Sequence, residues 1–374
     1  MRFADYTDEW HKYALSDFVT RITRRNKNNE SSLPLTISAQ YGLVDQITFF
    51  NKTVASVDLS GYYLLYNGDF AYNKSYSNDY AWGAVKRLDK YEKGCLSSLY
   101  FVFRPTDKVD SDYLTHYFET NKWHKGISDI AGEGARNHGL LNMAVDDYFA
   151  TKHYLPSLSE QKKIACFLNL ITKRIEIQNK IISKYETLIK GIRERVVNGS
   201  WQWKKLDELI QEGFVRLNRG NIIPKHPKDN TYKYPVYSSS TQNNGLMGYN
   251  NTYMFDKELI TWSIDGGGNF FYRKKHKFNV TNVCGIMQVD ENVYSYRFIA
   301  EMLTYQHSKM KFDYQSKAHP SVISSLYSLP CLPISEQNSY CQLFIALDRK
   351  MQTEQCSLNK LKEQKKYLLS KMFI

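Results

Sequence analysis

Two stretches of this chain carry the same helical pattern. Leu158-Ser159-Glu160-Gln161 recurs 176 positions later as Ile334-Ser335-Glu336-Gln337, and an apolar pattern runs on in step from both. In the first copy Ile164, Leu168, Ile171, Ile175, Gln178, Ile182, Tyr185, Ile189, Ile192 and Val196 alternate in steps of four and three. In the second, Tyr340, Phe344, Leu347, Met351, Glu354, Leu358, Leu361, Lys365, Leu368 and Met372 take the same places. Such steps keep one stripe of a helix apolar, the pattern of a coiled-coil seam. Two seams in matching phase call for two halves built alike, with two long helices available to pair.

The halves match at their starts as well. Trp10 stands five positions before Leu15, followed by Ser16-Asp17, and Trp201 five before Leu206, followed by Asp207-Glu208. Each half therefore has a Trp-Leu entry, a body, a proline-containing boundary and a helix. The expected divisions are a first body at 1–154, a helix at 155–200, a second body at 201–331 and a helix at 332–374. Gly punctuation among Tyr, Val and Phe from Leu35 to Val102 predicts short strands, as do Glu258–Ile264, Phe270–Lys277 and Val283–Val289. A short helix or turn is expected around Leu15–Ile22, helices at Tyr113–Trp123 and Tyr296–Tyr305, and loops at Arg21–Asn29, Ile127–His138 and Gln315–Pro320. Ser159 and Ser335 are the expected N-caps of the long helices, with Glu160 and Glu336 in the first turn, where negative charge suits the helix dipole. The fold class is α+β: two tandem mixed, strand-rich bodies, each followed by a long helix, the two helices pairing with each other as a coiled coil across a pseudo-two-fold axis.

Lys and Arg outnumber Asp and Glu by 50 to 38, a formal net charge of +12 that favours a polyanionic partner. The 29 Tyr and 19 Phe suit surfaces that meet sugar-phosphate and bases, although many must fill strands and cores. Six cysteines without C-x-x-C spacing point to free thiols in a reducing compartment. The charged start and the lack of any run of about 18 apolar residues give no signal peptide or membrane span, so a cytoplasmic protein is expected.

Enzymatic signatures are missing. Asp265-Gly266-Gly267-Gly268-Asn269 is the most conspicuous glycine cluster, but the chain has no Gly-Lys dipeptide for a Walker A loop and no G-x-G-x-x-G. A tight turn after Ile264 is the simpler reading. No Pro-Pro pair exists to form the base-gripping motif of an amino-methyltransferase, and the histidines lack metal-ligand spacing. No catalytic residue, metal or cofactor is expected.

The paired architecture resembles the specificity subunit of type I restriction-modification systems. The residues that carry the resemblance are Leu155-Pro156-Ser157-Leu158-Ser159-Glu160-Gln161 and Leu329-Pro330-Cys331-Leu332-Pro333-Ile334-Ser335-Glu336-Gln337. The trailing Leu358, Leu361, Lys365, Lys366, Leu368, Leu369 and Phe373 and the Trp-Leu entries add to it. The first boundary departs from the usual Pro-Pro-Leu pattern by lacking its second proline. The resemblance implies a non-catalytic subunit with two target recognition domains, each reading half of a split site on double-stranded DNA. Methyltransferase and restriction subunits are its implied partners.

A helix of about 35 to 40 residues runs roughly 50 to 60 Å, long enough to hold two readers about one to two turns of B-DNA apart. Gln178 and Glu354 interrupt the two seams at equivalent places, where polar residues can fix register. Base edges are read by amides, hydroxyls and basic groups on loops. In the second body these are Ser238, Ser239, Ser240, Thr241, Gln242 and Asn243, with Arg273, Lys274, Lys275 and Lys277 suited to phosphates and Lys317 and His319 on a loop that could join them. In the first body the candidates are Gln40, Tyr41, Lys74, Arg136, Asn137 and His138. The rival expectations are a coiled-coil adaptor that binds only proteins and the recognition half of a fused methyltransferase.

Overall fold

The structure is a computed structural model that describes residues 2–52, 54–76, 80–132, 139–310 and 317–374. The chain divides into two compact units, residues 1–178 with 357–374 and residues 179–356. Arg136, Asn137 and His138, and Gln315 and Ser316 of the expected polar loop, lie outside the described residues.

In chain order the first body comprises β1 (His11–Ala14), a 3-10 turn (Leu15–Asp17), β2 (Val19–Arg21), β3 (Leu35–Ser38), β4 (Gly42–Asp45), α1 (Gln46–Phe50), β5 (Tyr63–Tyr66), β6 (Phe70–Asn73), β7 (Ala84–Arg87), β8 (Lys93–Leu96), β9 (Phe101–Pro105), α2 (Ser111–Tyr117), α3 (His124–Ile130), α4 (Val145–Ala150) and β10 (Lys152–Leu155). The long helix α5 (Leu158–Val197) follows. The second body comprises β11 (Trp203–Lys205), α6 (Leu206–Gln211), β12 (Val215–Arg219), β13 (Tyr234–Tyr237), β14 (Leu246–Asn250), β15 (Phe255–Ser263), β16 (Phe270–Val280), β17 (Cys284–Val289), α7 (Tyr296–Lys309), α8 (Pro320–Leu326) and β18 (Ser328–Pro330). The second long helix, α9 (Ile334–Met372), ends the fold. This is the expected mixed architecture of strand-rich bodies, each followed by a long helix.

The bodies differ in their sheets. The first has a four-stranded sheet in the order β2-β9-β6-β7 beside the separate pairs β3-β4 and β5-β8, whereas the second has one six-stranded sheet in the order β12-β17-β15-β16-β13-β14. All pairings are antiparallel except β13 with β16.

The frame around each body is the same. Its first strand pairs antiparallel with its last, β1 with β10 and β11 with β18. The leucine after the first strand then donates its N–H back across the closure: Leu15 to the Thr151 carbonyl at 2.9 Å, Leu206 to the Tyr327 carbonyl at 3.0 Å. A carboxylate three residues beyond the strand end accepts the free N–H there, Asp17 from Ala14 at 2.7 Å and Glu208 from Lys205 at 3.2 Å. The matching Trp-Leu entries are thus the visible part of a repeated strand closure, with Leu15 and Leu206 fully buried in their cores.

The repeated glutamine ties each long helix to its body. Gln161 Nε2 donates to the Pro156 carbonyl at 3.0 Å, while Oε1 accepts the Asp110 N–H at 2.9 Å. Gln337 Nε2 donates to the Leu332 and Val293 carbonyls at 2.9 and 2.8 Å, and Oε1 accepts the Ser295 N–H at 3.0 Å. Asp110 and Ser295 are the N-cap residues of α2 and α7, so each glutamine bridges two helix starts. The expected serine caps are corrected. Helix α5 begins one residue before Ser159, and Ser157 Oγ accepts the Glu160 N–H at 3.4 Å. Pro333 precedes Ile334 in α9 and has no side-chain acceptor, so its carbonyl receives the Glu336 and Gln337 N–H groups instead.

Every seam residue of both helices is buried or half-buried. In the first unit Ile164, Leu168 and Ile171 of α5 join the same core as Leu368 and Met372 of α9 and Phe373 just beyond it. In the second unit Val196 of α5 shares a core with Leu332 and with Cys341 of α9.

Three local expectations are revised. The short helix or turn expected around Leu15–Ile22 is a 3-10 turn confined to Leu15–Asp17, and β2 takes over from Val19. The helix expected at Tyr113–Trp123 stops at Tyr117, where the Thr120 hydroxyl takes the Tyr117 carbonyl at 2.7 Å, and α3 then occupies part of the segment expected as a loop from Ile127. Residues 21–29 are only partly a solvated loop, with Lys27, Asn28 and Asn29 exposed. Asn26 is fully buried, and Arg24 joins Arg104 on the buried Asp69 carboxylate.

Where the first body meets β10, the buried His153 uses both ring nitrogens, Nδ1 with the Tyr117 hydroxyl and Nε2 with Thr151 Oγ1, each at 2.8 Å. The Thr151 hydroxyl donates to the Tyr148 carbonyl, so it must accept from Nε2–H, leaving Nδ1 to accept from Tyr117. Burial lowers the His153 pKa from 6.5 to about 4. The unfolded chain takes up a proton at 6.5 that the native ring refuses until about 4, so stability falls as pH drops through that window. The loss reaches about 3 kcal/mol for this group. Unfolding titrations between neutral pH and pH 4 should follow this decline, and His153→Gln should flatten it; parallel curves for the two proteins would sink the argument.

Replacing either repeated glutamine strands buried donors and acceptors. Gln161→Ala and Gln337→Ala should each lose about 1–3 kcal/mol in urea unfolding. Ser159→Ala should stay within about 0.5 kcal/mol, since that serine is exposed and caps nothing.

Candidate nucleic-acid interface

In the second body, β13 runs into a loop whose ends are pinned and whose tip is exposed. The Ser238 N–H donates to the Gly245 carbonyl at 2.8 Å, and the Ser238 hydroxyl accepts from Thr281 Oγ1 at 2.9 Å. Asn243 and Asn244 take left-handed φ values of 48° and 51°, which asparagine tolerates better than other side chains bearing a Cβ. Ser240 Oγ accepts the Gln242 N–H at 3.2 Å. Thr241, Gln242, Asn243 and Asn244 face solvent.

The glycine cluster supports this loop from the side. Ser263 Oγ donates to the Ser239 carbonyl at 2.6 Å. A Cβ on Gly266 would lie 2.1 Å from Ser263 Oγ and 2.3 Å from the Ser239 oxygen, so only glycine allows the approach. Gly267 and Gly268 have φ values of 82° and 78°, as a tight turn requires. The Lys317–His319 segment closes onto the same turn. Lys317 Nζ lies 3.4 Å from Asp265, the Ala318 N–H donates to the Ile264 carbonyl at 2.9 Å, and Trp262 Nε1 donates to the Ala318 carbonyl at 2.8 Å. Ser239, Ser240, Thr241, Gln242 and Asn243 are therefore joined to Lys317 and His319 through the glycine turn.

Arg273 lies underneath rather than at the surface. It is 4% exposed, its Nε donates to Thr261 Oγ1 at 2.9 Å, and its guanidinium stacks 3.7 Å from the Tyr237 ring centroid. Burial lowers its pKa to about 10, still charged at neutral pH, and its Nη2 has no hydrogen-bond partner. A Cβ at Gly245 would sit 3.2 Å from that nitrogen, which places the cation directly below the end of the loop. Lys274 and Lys275 are exposed on β16, away from the glycine turn.

In the first body Gln40 and Tyr41 occupy the exposed turn between β3 and β4. The Tyr41 ring lies 6.4 Å from Phe49, itself 5.0 Å from Phe50, forming an exposed aromatic group at the tip. Lys74 follows β6 with its ammonium 4.8 Å from the Phe101 ring. Its carbonyl accepts from Leu141 at 3.0 Å, and Tyr76 N–H donates to Gly139 at 3.1 Å, so Lys74 adjoins the chain just beyond His138. Arg136, Asn137 and His138 themselves lie outside the described residues.

Sequence reading missed a basic, aromatic strap. Residues 224–228 lie along the edge strand β14 and lead through 229–233 into β13, with the His226 N–H donating to the Tyr249 carbonyl at 3.0 Å and the His226 carbonyl accepting the Tyr249 N–H at 2.9 Å. The alternation of Lys225, His226, Lys228, Tyr232, Lys233 and Tyr234 was the available signal. Strap geometry, with proline at Pro224 and Pro227, carries no strand or helix period to expose it.

Residues 198–367 match the family model of the type I restriction modification DNA specificity domain. A putative type I specificity subunit of Mycoplasma pneumoniae is 37% identical over 129 residues, 32% of this chain and 42% of that protein. Another from the same organism is 27% identical over 192 residues, covering 49% of this chain and 77% of the relative. The chain spans less than half the length of three such relatives, 42%, 24% and 48%. In fold it is similar to the crystal structure of a type I restriction-modification S subunit from M. genitalium, with a TM-score of 0.62 at 16% identity over 100% of this chain and 99% of that one. A structure from a study of type I complex assembly and conformational transition gives a TM-score of 0.54 at 15% identity, covering 98% and 97% of the two chains. The second half of the chain is thus similar to the type I restriction modification DNA specificity domain, and the chain as a whole shares the fold of a type I S subunit.

Proposed function

We propose that the chain is the non-catalytic DNA-recognition subunit of a type I restriction-modification complex. It reads a bipartite, asymmetric site on double-stranded DNA. The observation that carries this is the loop 238–245, braced by the glycine turn and the Lys317–His319 segment within the part of the chain that matches the DNA specificity domain. Its hydroxyl and amide groups suit donor and acceptor patterns in the major groove. The two bodies, 1–154 and 201–331, have different sheets and different exposed loops, which favours two unlike half-sites.

The helical segments 155–200 and 332–374 pair in this proposal as an antiparallel coiled coil. Support comes from the start of α5 sharing a core with the end of α9 in the first unit, and from its end sharing a core with the start of α9 in the second. The methyltransferase and restriction subunits dock on this scaffold and supply the chemistry.

Affinity for duplex DNA, measured with the methyltransferase partner present, should fall linearly with log salt. The methylated positions should define a non-palindromic, split sequence. Gln242→Ala with Asn243→Ala should relax preference at one half-site by about 1–3 kcal/mol per lost base contact, leaving the salt slope nearly unchanged. Gly266→Ala, which pushes the Ser239 carbonyl from its support, should weaken the same half-site. Duplex binding without salt dependence or sequence preference would favour a protein-only adaptor.

A further inference from the structure

Beyond the reading loop, the second body carries a lysine-tyrosine face, and we propose that it grips the phosphodiester backbone of the duplex whose bases the loop reads. The inference rests on the proposed DNA-reading function. It assigns a second contact surface, built from the strap along β14, the turn at Tyr253 and the exposed middle of β16.

The side chains are arranged as ammonium groups over rings. Lys228 Nζ lies 5.6 Å from the Tyr249 centroid, Lys233 Nζ 5.5 Å from Tyr234 and Lys277 Nζ 4.7 Å from Tyr253. Tyr234 and Tyr253 are themselves 5.2 Å apart. A ring positions the ammonium without occupying all of its N–H donors, which stay available to phosphate oxygens.

Charge balance points the same way. Among the described residues of this unit, the lysines in ion pairs are Lys190, Lys204, Lys309 and Lys317, none of them on this face. The nearby acids are largely engaged: Asp229 accepts the Thr231 and Tyr232 N–H groups at 2.7 and 2.6 Å, and Glu258 accepts the Tyr272 hydroxyl at 2.7 Å. Asp256 stands opposite Lys277 in the β15–β16 register as the remaining carboxylate. The face therefore keeps an excess of unpaired positive charge, complementary to a polyanion.

Position makes the polyanion the same duplex. Strand β13, four residues long, joins the face at Tyr234 to the loop beginning at Ser238. Four extended residues span about 13 Å, comparable with the roughly 12 Å width of the major groove. A loop among base edges then sets the face against the backbone bordering that groove.

The test is a salt titration on the full chain with its methyltransferase partner, using duplexes with and without the mapped target. Lys228→Gln/Lys233→Gln/Lys277→Gln should reduce the slope of log affinity against log salt by about 2 to 3. The loss should be alike on both duplexes, and the corresponding triple arginine variant should restore the slope. An unchanged slope in the glutamine variant, while the Gln242/Asn243 variant still alters base preference, overturns the face and leaves the reading loop standing. Loss of partner assembly at an unchanged slope likewise overturns it in favour of a protein contact. Absence of salt-dependent duplex binding by the native chain overturns the DNA reading and the face together.

Discussion

The architecture depends on one buried amide used twice. A long helix attached to a body only by its first turn would swing on the preceding loop. The repeated glutamine prevents this, because each side chain holds the carbonyl before its own helix and the first N–H of a second helix in the body. Gln161 and Gln337 are 2% and 0% exposed, so these bonds are not exchanged with water, and an unmade partner carries the full desolvation cost. The first strand of each body closes on its last immediately before this point. Strand closure and amide bridge together give each helix a fixed root.

The strongly periodic parts of this frame were legible in the sequence. Seam positions are buried because steps of four and three leave one stripe facing the core, and the Trp-Leu entries recur because each must make the same strand closure. The Ser-Glu-Gln opening was legible as a motif but not in its roles. Serine and glutamate are common helix starters, so they drew the capping assignment, whereas the amide bridge requires Asp110 and Ser295, about 50 and 40 residues distant in sequence. Long-range partners leave no local period. The same reason hides the burial of Arg273, which its neighbours Lys274 and Lys275 disguise as part of a surface basic run, and of Asn26 in a polar stretch. Among the candidate DNA-reading residues, the polar tip from Thr241 to Asn243 was readable from composition because a loop without an apolar period has to be exposed. Its bracing by Ser263 and Gly266 was not.

Arginine and lysine divide the positive charge between them. Six arginines are structural: Arg2 holds the buried Glu160, Arg24 and Arg104 share Asp69, Arg193 and Arg297 share Glu301, and Arg273 stacks under the loop. A planar fork suits such fixed, partly buried pairing. Lys228, Lys233, Lys274, Lys275 and Lys277 sit instead on the strap and the exposed part of β16, where a hydrated point charge on a flexible stem keeps no fixed geometry. Counting Lys and Arg together obscures this division.

Separation of frame from exposed loop follows from where the bonds run. The loop 238–245 is held by Thr281, Ser263 and the glycine turn, all within the sheet of its own body, whereas the strand closure and amide bridge use β11, β18 and the starts of α7 and α9. No residue of the exposed tip from Thr241 to Asn243 contributes to that closure or bridge. Changes at the tip therefore act on distant, independent positions, whose energies add rather than couple. The contrast with Arg273 is instructive. Its buried charge touches Thr261 of β15 and Tyr237 of β13 at once, so any change there alters sheet and loop together. The tip can consequently vary at little cost to stability, while a change at the cation beneath it disturbs both strands it touches.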